Sequence, residues 1–279
     1  MELTDQSGGE HNHAPERREF LKNCAALAGA GIAGCVVLSN IEAMADIVQA
    51  DDARLVTQRI KYPVGDSEMI AYLARPKDDK KYPAVIVIQE IFGLNPHIED
   101  VTRRIALEGF LAVAPDALTP IGGTAAAGEN VMAAMMKLDQ AESVKNFTAA
   151  VQYLKTHPQS TGQVGCTGFS WGGAMTNQVA VNSPDLKVAI PYYGTVATDE
   201  DVPKIKASMM CHYAEDDQRI NAGIPGFEAA LKKAGIEHQI FIYPGTRHGF
   251  NNDTSAGYHK EAAAEAWKRT IGLFKQKLT

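Results

Sequence analysis

Ser170 stands in the pentapeptide Gly168-Phe169-Ser170-Trp171-Gly172, a G-x-S-x-G pattern of the kind that lifts a serine hydroxyl off the end of a strand in a sharp turn. A serine hydroxyl is a poor nucleophile at neutral pH and needs a base beside it. Two downstream segments supply candidates. Tyr213-Ala214-Glu215-Asp216-Asp217-Gln218-Arg219-Ile220 carries adjacent carboxylates, and Tyr243-Pro244-Gly245-Thr246-Arg247-His248-Gly249-Phe250 carries a histidine. In that chemistry His248 takes the serine proton and later returns it to the leaving group, while Asp217 holds the imidazole tautomer and stabilises the imidazolium. Asp216 competes with Asp217 for the orienting role. The spacing to Ile220, which reads as the anchor of the next turn, favours Asp217. The plainer readings are a glycine-rich turn with an idle serine and a histidine that caps a loop.

These side chains need elements to position them. Residues 163–167 form a short apolar run before the elbow and read as a strand; residues 174–181 read as the helix after it. Asp217 follows the apolar run 207–212, and His248 follows the run 239–243, so each lies in a loop at the carboxyl end of a strand. The chain order Ser, Asp, His is that of α/β-hydrolases and differs from the orders in chymotrypsin and subtilisin. Residues 82–89 are continuously apolar, as in a strand buried on both faces. The loop that follows, Glu90-Ile91-Phe92-Gly93-Leu94-Asn95, precedes a helix expected over 96–108, with Pro96 in its first turn. An oxyanion hole assembled from such parts takes one backbone N–H from the residue after the nucleophile, Trp171, and one from this loop, assigned to Ile91. Donors of this kind contribute about 3–4 kcal/mol each to the transition state.

Several of these stretches together resemble the dienelactone hydrolase family. They are Val85-Ile86-Val87-Ile88-Gln89-Glu90-Ile91-Phe92-Gly93-Leu94-Asn95, Gly109-Phe110-Leu111-Ala112-Val113-Ala114-Pro115-Asp116, the elbow continuing into Gly173, and Pro191-Tyr192-Tyr193-Gly194. The resemblance runs from about residue 55 to the C-terminus. It implies one α/β-hydrolase domain without a large inserted cap, and hydrolysis of an ester or lactone through an acyl-enzyme. The nominal activity of the family, carboxymethylenebutenolidase, is the enzymatic alternative, and a non-catalytic ligand-binding protein on the same fold is the alternative from another class. The resemblance also marks departures. The namesake enzymes carry cysteine where this chain has Ser170. A glutamate matching Glu90 helps to ionise that thiol, so beside a serine Glu90 is left with bonding Ser170 at rest or shaping the loop. The family arginine four residues after the histidine, which binds a substrate carboxylate, is Asn252 here.

Around these motifs strands and helices alternate. Residues 59–63 and 67–73, joined by Val64-Gly65-Asp66, read as an antiparallel hairpin at a sheet edge. Strands are expected at 84–89, 110–114, 163–168, 187–193, 207–213 and 238–243, and helices at 96–108, 141–156, 171–182, 223–234 and 258–277. The fold class is therefore α/β, a mostly parallel, doubly wound sheet with helices on both faces and an antiparallel N-terminal hairpin. Residues 117–139 stand apart, breaker-rich and then methionine-rich, and are read as a packed helix with a lid as the rival reading. Phe92, Tyr192, Tyr193, Trp171 and Phe250 follow strand ends and are candidate pocket walls.

The first 45 residues differ in kind. Residues 1–16 are polar and expected to be disordered. Arg17-Arg18-Glu19-Phe20-Leu21-Lys22 then precedes an apolar, glycine-rich run, as in a twin-arginine export signal, and Ala43-Met44-Ala45 fits a cleavage site. This divides the chain into 1–45, tail plus signal, and 46–279, the hydrolase domain, and implies a periplasmic or secreted protein that meets the twin-arginine export machinery. The alternatives are an uncleaved N-terminal helix, or a lipid anchor on Cys35 in the lipobox-like Ile32-Ala33-Gly34-Cys35, which alone would bring the protein to a membrane. A net charge of −6 argues against a nucleic-acid partner. Cys166 and Cys211 fall in separate buried strands and are expected as free thiols. No histidine or cysteine spacing reads as a metal site, and no cofactor is implied.

Overall fold

The computed structural model describes residues 48–279. The tail, the paired arginines Arg17 and Arg18, Cys35 and the cleavage site after Ala45 lie outside the described residues.

Eight strands form one mixed sheet: β1 (Leu55–Val64), β2 (Ser67–Pro76), β3 (Tyr82–Ile88), β4 (Leu111–Pro115), β5 (Ser160–Phe169), β6 (Val188–Tyr192), β7 (Ser208–Asp216) and β8 (His238–Arg247). Their spatial order is β1-β2-β4-β3-β5-β6-β7-β8. The expected hairpin is the antiparallel edge, and β2 pairs antiparallel with β4 as well; from β4 to β8 every pairing is parallel. The strands from β3 on are joined through helices α1 (Pro96–Leu107), α2 (Gln140–Thr156), α3 (Trp171–Asn182) and α4 (Ile224–Lys233), except that β6 and β7 are joined by a loop with one short turn at Val202–Lys204; α5 (Lys260–Leu278) closes the chain.

Period-two alternation along β3 divides the core. Ala84, Ile86 and Ile88 pack with Phe147 and Leu154 of α2, Val179 of α3 and Phe227 of α4. Val85 and Val87 pack on the other face with Ile98 and Ile105 of α1 and with Ile271 and Phe274 of α5. Every residue from Ala84 to Ile88 is fully buried, which is why the strand carries no polar alternation. Side-chain caps start two of these helices. Asn95 Oδ1 accepts from Ile98 N at 3.0 Å ahead of Pro96, and Asp139 Oδ1 accepts from Glu142 N at 2.8 Å at the start of α2.

Two expectations need correction. Residues 117–139 form no single packed helix but short turns at Thr119–Ile121, Thr124–Ala127, Gly128–Asn130 and Val131–Met135. Gly122 and Gly123 sit in the left-handed region (φ 96° and 93°) and break any continuous helix. The Asp116 carboxylate then takes the N–H groups of Leu118 and Thr124 that a helix would otherwise have used. Met135 is buried, whereas Met132 and Met136 are exposed. The last strand runs on to Arg247, four residues past the apolar run that signalled it. Cys166 and Cys211 are free and buried as expected, because β6 lies between their strands and two strand spacings, about 10 Å, exceed the reach of a disulfide.

Beneath the carboxyl ends of β6, β7 and β8 lies a buried polar chain. His212 Nδ1 meets Tyr243 Oη at 2.9 Å, His212 Nε2 meets Thr270 Oγ1 at 3.1 Å, and Tyr192 Oη meets the same Thr270 oxygen at 2.6 Å. Burial, aided by the Arg269 charge, pulls His212 down to about 3. A histidine whose folded value lies below its ordinary 6.5 is neutral in the native state, so its share of stability is present above pH 6.5 and is lost as pH falls toward 3. Urea unfolding of the wild type and of His212→Gln should therefore run parallel above pH 6.5 and converge below it. The limiting slope of that convergence is about 1.4 kcal/mol per pH unit. Parallel curves down to pH 4 would mean that His212 is not neutral in the fold.

Candidate active site

Ser170 occupies the junction of β5 and α3 with φ 54° and ψ −111°, a conformation costly for a residue with a side chain. The surroundings impose it. A Cβ on Gly168 would sit 2.3 Å from the Gly172 carbonyl oxygen, and a Cβ on Gly172 would sit 2.4 Å from the carbonyl oxygens of Ile88 and Gln89. Backbone packs directly on backbone here, and only glycine leaves room for it. The Ser170 N–H donates to the Tyr192 carbonyl at 3.0 Å and fixes the turn against β6.

The fold brings the three sequence candidates into one hydrogen-bonded line. Ser170 Oγ lies 2.8 Å from His248 Nε2, and His248 Nδ1 lies 2.5 Å from Asp217 Oδ2. The Asp217 carboxylate is almost wholly buried, while Asp216 is exposed at the end of β7. Two local features aim Asp217 inward. Ile220 is buried beneath the turn that follows it, and Asn221 Nδ2 donates to the Ala214 carbonyl at 2.8 Å. Ile91 lies in the loop after β3, and Trp171 is the first residue of α3, where helix N–H groups have no intrahelical acceptor. Among the described residues neither amide donates to a protein acceptor, and both flank Ser170 near the positive end of α3.

A cavity of about 280 Å³ opens over this line. Glu90, Ile91, Phe92, Ser170, His248, Asn252 and Ser255 are among the residues that line it. A larger cavity of about 640 Å³, between the β1–β2 turn and α2, contains neither Ser170 nor His248. Phe92, 44 % exposed, is a true wall of the site. Tyr193 stands behind it, its ring edge-on to His248 at 5.0 Å and its hydroxyl donating to Glu90 Oε1 at 3.4 Å. Tyr192, Tyr193 and Phe250 do not line the cavity. The Tyr192 hydroxyl is taken by Thr270 under the sheet, and Phe250 is folded back into a ring cluster with Tyr193 and Tyr243. The Trp171 side chain turns away as well, packing on Phe147 and facing a separate groove with Met135, Met136 and Met175.

Glu90 is 4 % exposed, and its oxygens are held by neutral donors. Asn252 Nδ2 donates to Oε2 at 2.6 Å, and Tyr193 donates to Oε1. Asn252 is fixed in turn, because its Oδ1 accepts from Thr254 N and Oγ1 at 2.9 and 2.7 Å. These contacts tie the loop after β3 to the loop that carries His248. Among the described residues no group of three His, Cys, Asp or Glu side chains is placed to hold a metal ion.

The sequence reading missed a second tie, from the histidine loop to α1. Asp253 lies 3.0 Å from His97 Nδ1 and 2.6 Å from an Arg104 nitrogen, both on α1. Against the cost of its burial, His97 and Arg104 pull the Asp253 carboxyl down to about 2. Asp100 also pairs with Arg104 from within the helix. The signal was present in the spacing. His97, Asp100 and Arg104 recur at i, i+3 and i+7, one face of a helix, and His97 and Asp100 are buried.

Comparison with known proteins places this arrangement. The family model described as "Dienelactone hydrolase family" matches residues 69–278. A relative from Escherichia coli (strain K12), named "Putative carboxymethylenebutenolidase", is 32% identical over 245 residues, 82% of this chain and 90% of its own. One of the same name from Synechocystis sp. (strain PCC 6803) is 35% identical over 240 residues, 80% of this chain and 97% of its own. Among solved structures, the "Putative Dienelactone Hydrolase from Klebsiella pneumoniae subsp. pneumoniae MGH 78578" superposes with a TM-score of 0.73 at 30% identity, covering 80% of this chain and 99% of that one. The elbow, the mixed sheet and these matches lead to one conclusion: the chain belongs to the dienelactone hydrolase family.

Proposed function

We propose that this protein is a serine hydrolase that cleaves a carboxylic ester or lactone through an acyl-enzyme on Ser170. The observation that carries the reading is the unbroken line Ser170–His248–Asp217, at 2.8 and 2.5 Å, beneath a cavity that Ile91 lines, with the Ile91 and Trp171 amides unengaged by any protein acceptor among the described residues. Ser170 Oγ attacks the carbonyl carbon as His248 Nε2 takes its proton. The oxygen that becomes negative collects the N–H groups of Ile91 and Trp171. Collapse breaks the bond to the leaving oxygen, which receives the proton from His248; in a lactone that oxygen stays tethered to the acyl group. Water, deprotonated by His248, then attacks the acyl-enzyme and releases the acid. Asp217 holds the ring so that Nε2 faces Ser170 throughout. None of these steps calls for a cofactor.

The name borne by the relatives, carboxymethylenebutenolidase, describes a lactone hydrolysis within this reaction class and is the second reading. A binding protein on the same fold has no use for the intact relay or for a strained serine. The paired Arg17 and Arg18 ahead of Phe20-Leu21-Lys22 support export by the twin-arginine route, with Asp46 as the first mature residue.

An organophosphonate probe should label the wild type on Ser170, and Ser170→Ala should lose both labelling and ester hydrolysis while staying folded by circular dichroism. Retention of more than about a tenth of wild-type turnover in Ser170→Ala would rule the mechanism out. Asp217→Asn should lower turnover by about 10⁴-fold through loss of the correct tautomer, with Asp216→Asn close to wild type in the same assay. The reverse ranking would move the orienting role to Asp216. Replacing Arg17 and Arg18 together with lysine should leave active, unprocessed protein in the cytoplasm of the native host. N-terminal sequencing of the exported wild type should begin at Asp46; a lipid-bearing Cys35 at that end would replace a soluble product with an anchored one.

A further inference from the structure

The Glu90 carboxylate forms one wall of the cavity that holds Ser170 and His248. It is removed from water, and the groups that hold it, the Asn252 amide and the Tyr193 hydroxyl, carry no positive charge. Among the described residues that line this cavity there is no lysine or arginine. Arg219 and Arg247, although close in sequence to Asp217 and His248, are exposed and do not reach the lining. The second carboxylate of the site, Asp217, is behind His248 and committed to it. A substrate anion entering here exchanges its water for a wall of its own sign, and no counter-ion replaces what it loses. A neutral ester meets no such opposition.

We propose that this site selects by charge: it takes esters or lactones that are uncharged around the scissile carbonyl and rejects those with a carboxylate close to it, and Glu90 is the residue that sets this preference. The proposal rests on the reading of Ser170 as the nucleophile. Like charges about 6 Å apart in a partly screened site repel strongly enough to separate the two classes by about ten- to a hundredfold.

Dimethyl glutarate and monomethyl glutarate are a matched pair, nearly isosteric and differing by one carboxylate. Their hydrolysis is followed in a pH-stat at neutral pH and low ionic strength. For the wild type kcat/KM should favour the dimethyl ester by about ten- to a hundredfold. In Glu90→Gln that ratio should fall toward the twofold expected from counting ester groups, whatever happens to the absolute rates. Ser255→Lys adds a cation to the lining of the same cavity while leaving Glu90 itself unchanged and should narrow the ratio independently, which keeps the test decisive should Glu90→Gln fold poorly. Equal kcat/KM for the two esters in the wild type, or a ratio unchanged in both variants, overturns the charge selection and leaves the hydrolase reading standing. Hydrolysis of neither ester, together with no phosphonate labelling of Ser170, overturns the hydrolase reading and this inference with it.

Discussion

At the elbow the first turn of α3 is pressed against the backbone of β3 and β6 with no side chain between them. The carbonyl oxygens of Ile88, Gln89 and Gly172 stand where Cβ atoms of ordinary residues would be. This contact lets the chain reverse within one residue at Ser170, and the reversal aims the hydroxyl at His248 instead of into the sheet. The same contact brings the loop after β3, with Ile91 and Glu90, alongside the N-terminus of α3. Nucleophile, amides and cavity wall are thus consequences of one close approach between a helix and a sheet. Strain stored at Ser170 and at Tyr193 (φ 36°) persists because the surrounding core over-determines both positions.

Three carboxylates around this junction, Glu90 and Asp217 buried and Asp253 partly so, are handled in three ways. Asp217 faces an imidazole, so its charge is matched by the charge that His248 gains when it takes a proton. Asp253 faces His97 and Arg104, a paired arrangement that fastens the histidine loop to α1. Glu90 faces neutral donors, and its charge is left to act on whatever enters the cavity. Asn252 and Asp253 are adjacent in sequence yet hold opposite ends of this arrangement, one gripping Glu90 and the other gripping α1. A small shift of the loop would disturb both at once, and with them the position of His248. Below the site, the His212–Thr270–Tyr192 chain joins β6 and β7 to α5, and the His212 carbonyl accepts from Tyr193 N at 2.7 Å, so the network reaches the cavity through Tyr193.

Much of the fold was legible because its signals are local. Strands such as β3, buried on both faces, must be apolar throughout, and helices such as α1 begin with a capping Asn95 and a proline; both are written in consecutive residues. The members of the catalytic line were legible for a related reason. Each sits at the carboxyl end of a strand, in an order that a parallel sheet then brings to one edge. Where local signals were weak the reading failed. Methionines and alanines of residues 117–139 suit a helix, but the left-handed glycines and the competing Asp116 carboxylate divide it into turns.

The sequence by itself determined the class of fold, the serine, aspartate and histidine that meet in one hydrogen-bonded line and their order, and the loop that carries Ile91, since short-range periodicity and motif spacing encode all of these. Only the tertiary structure decided which aromatic rings face the cavity. Tyr192, Tyr193 and Phe250 read alike as residues after strand ends, but Thr270 claims the hydroxyl of the first, the ring cluster claims the third, and Tyr193 alone turns its edge to His248. It also decided the environment of Glu90. The bond from Asn252 spans 162 residues, and a side chain's electrostatic surroundings depend on partners that distant, which no local pattern specifies.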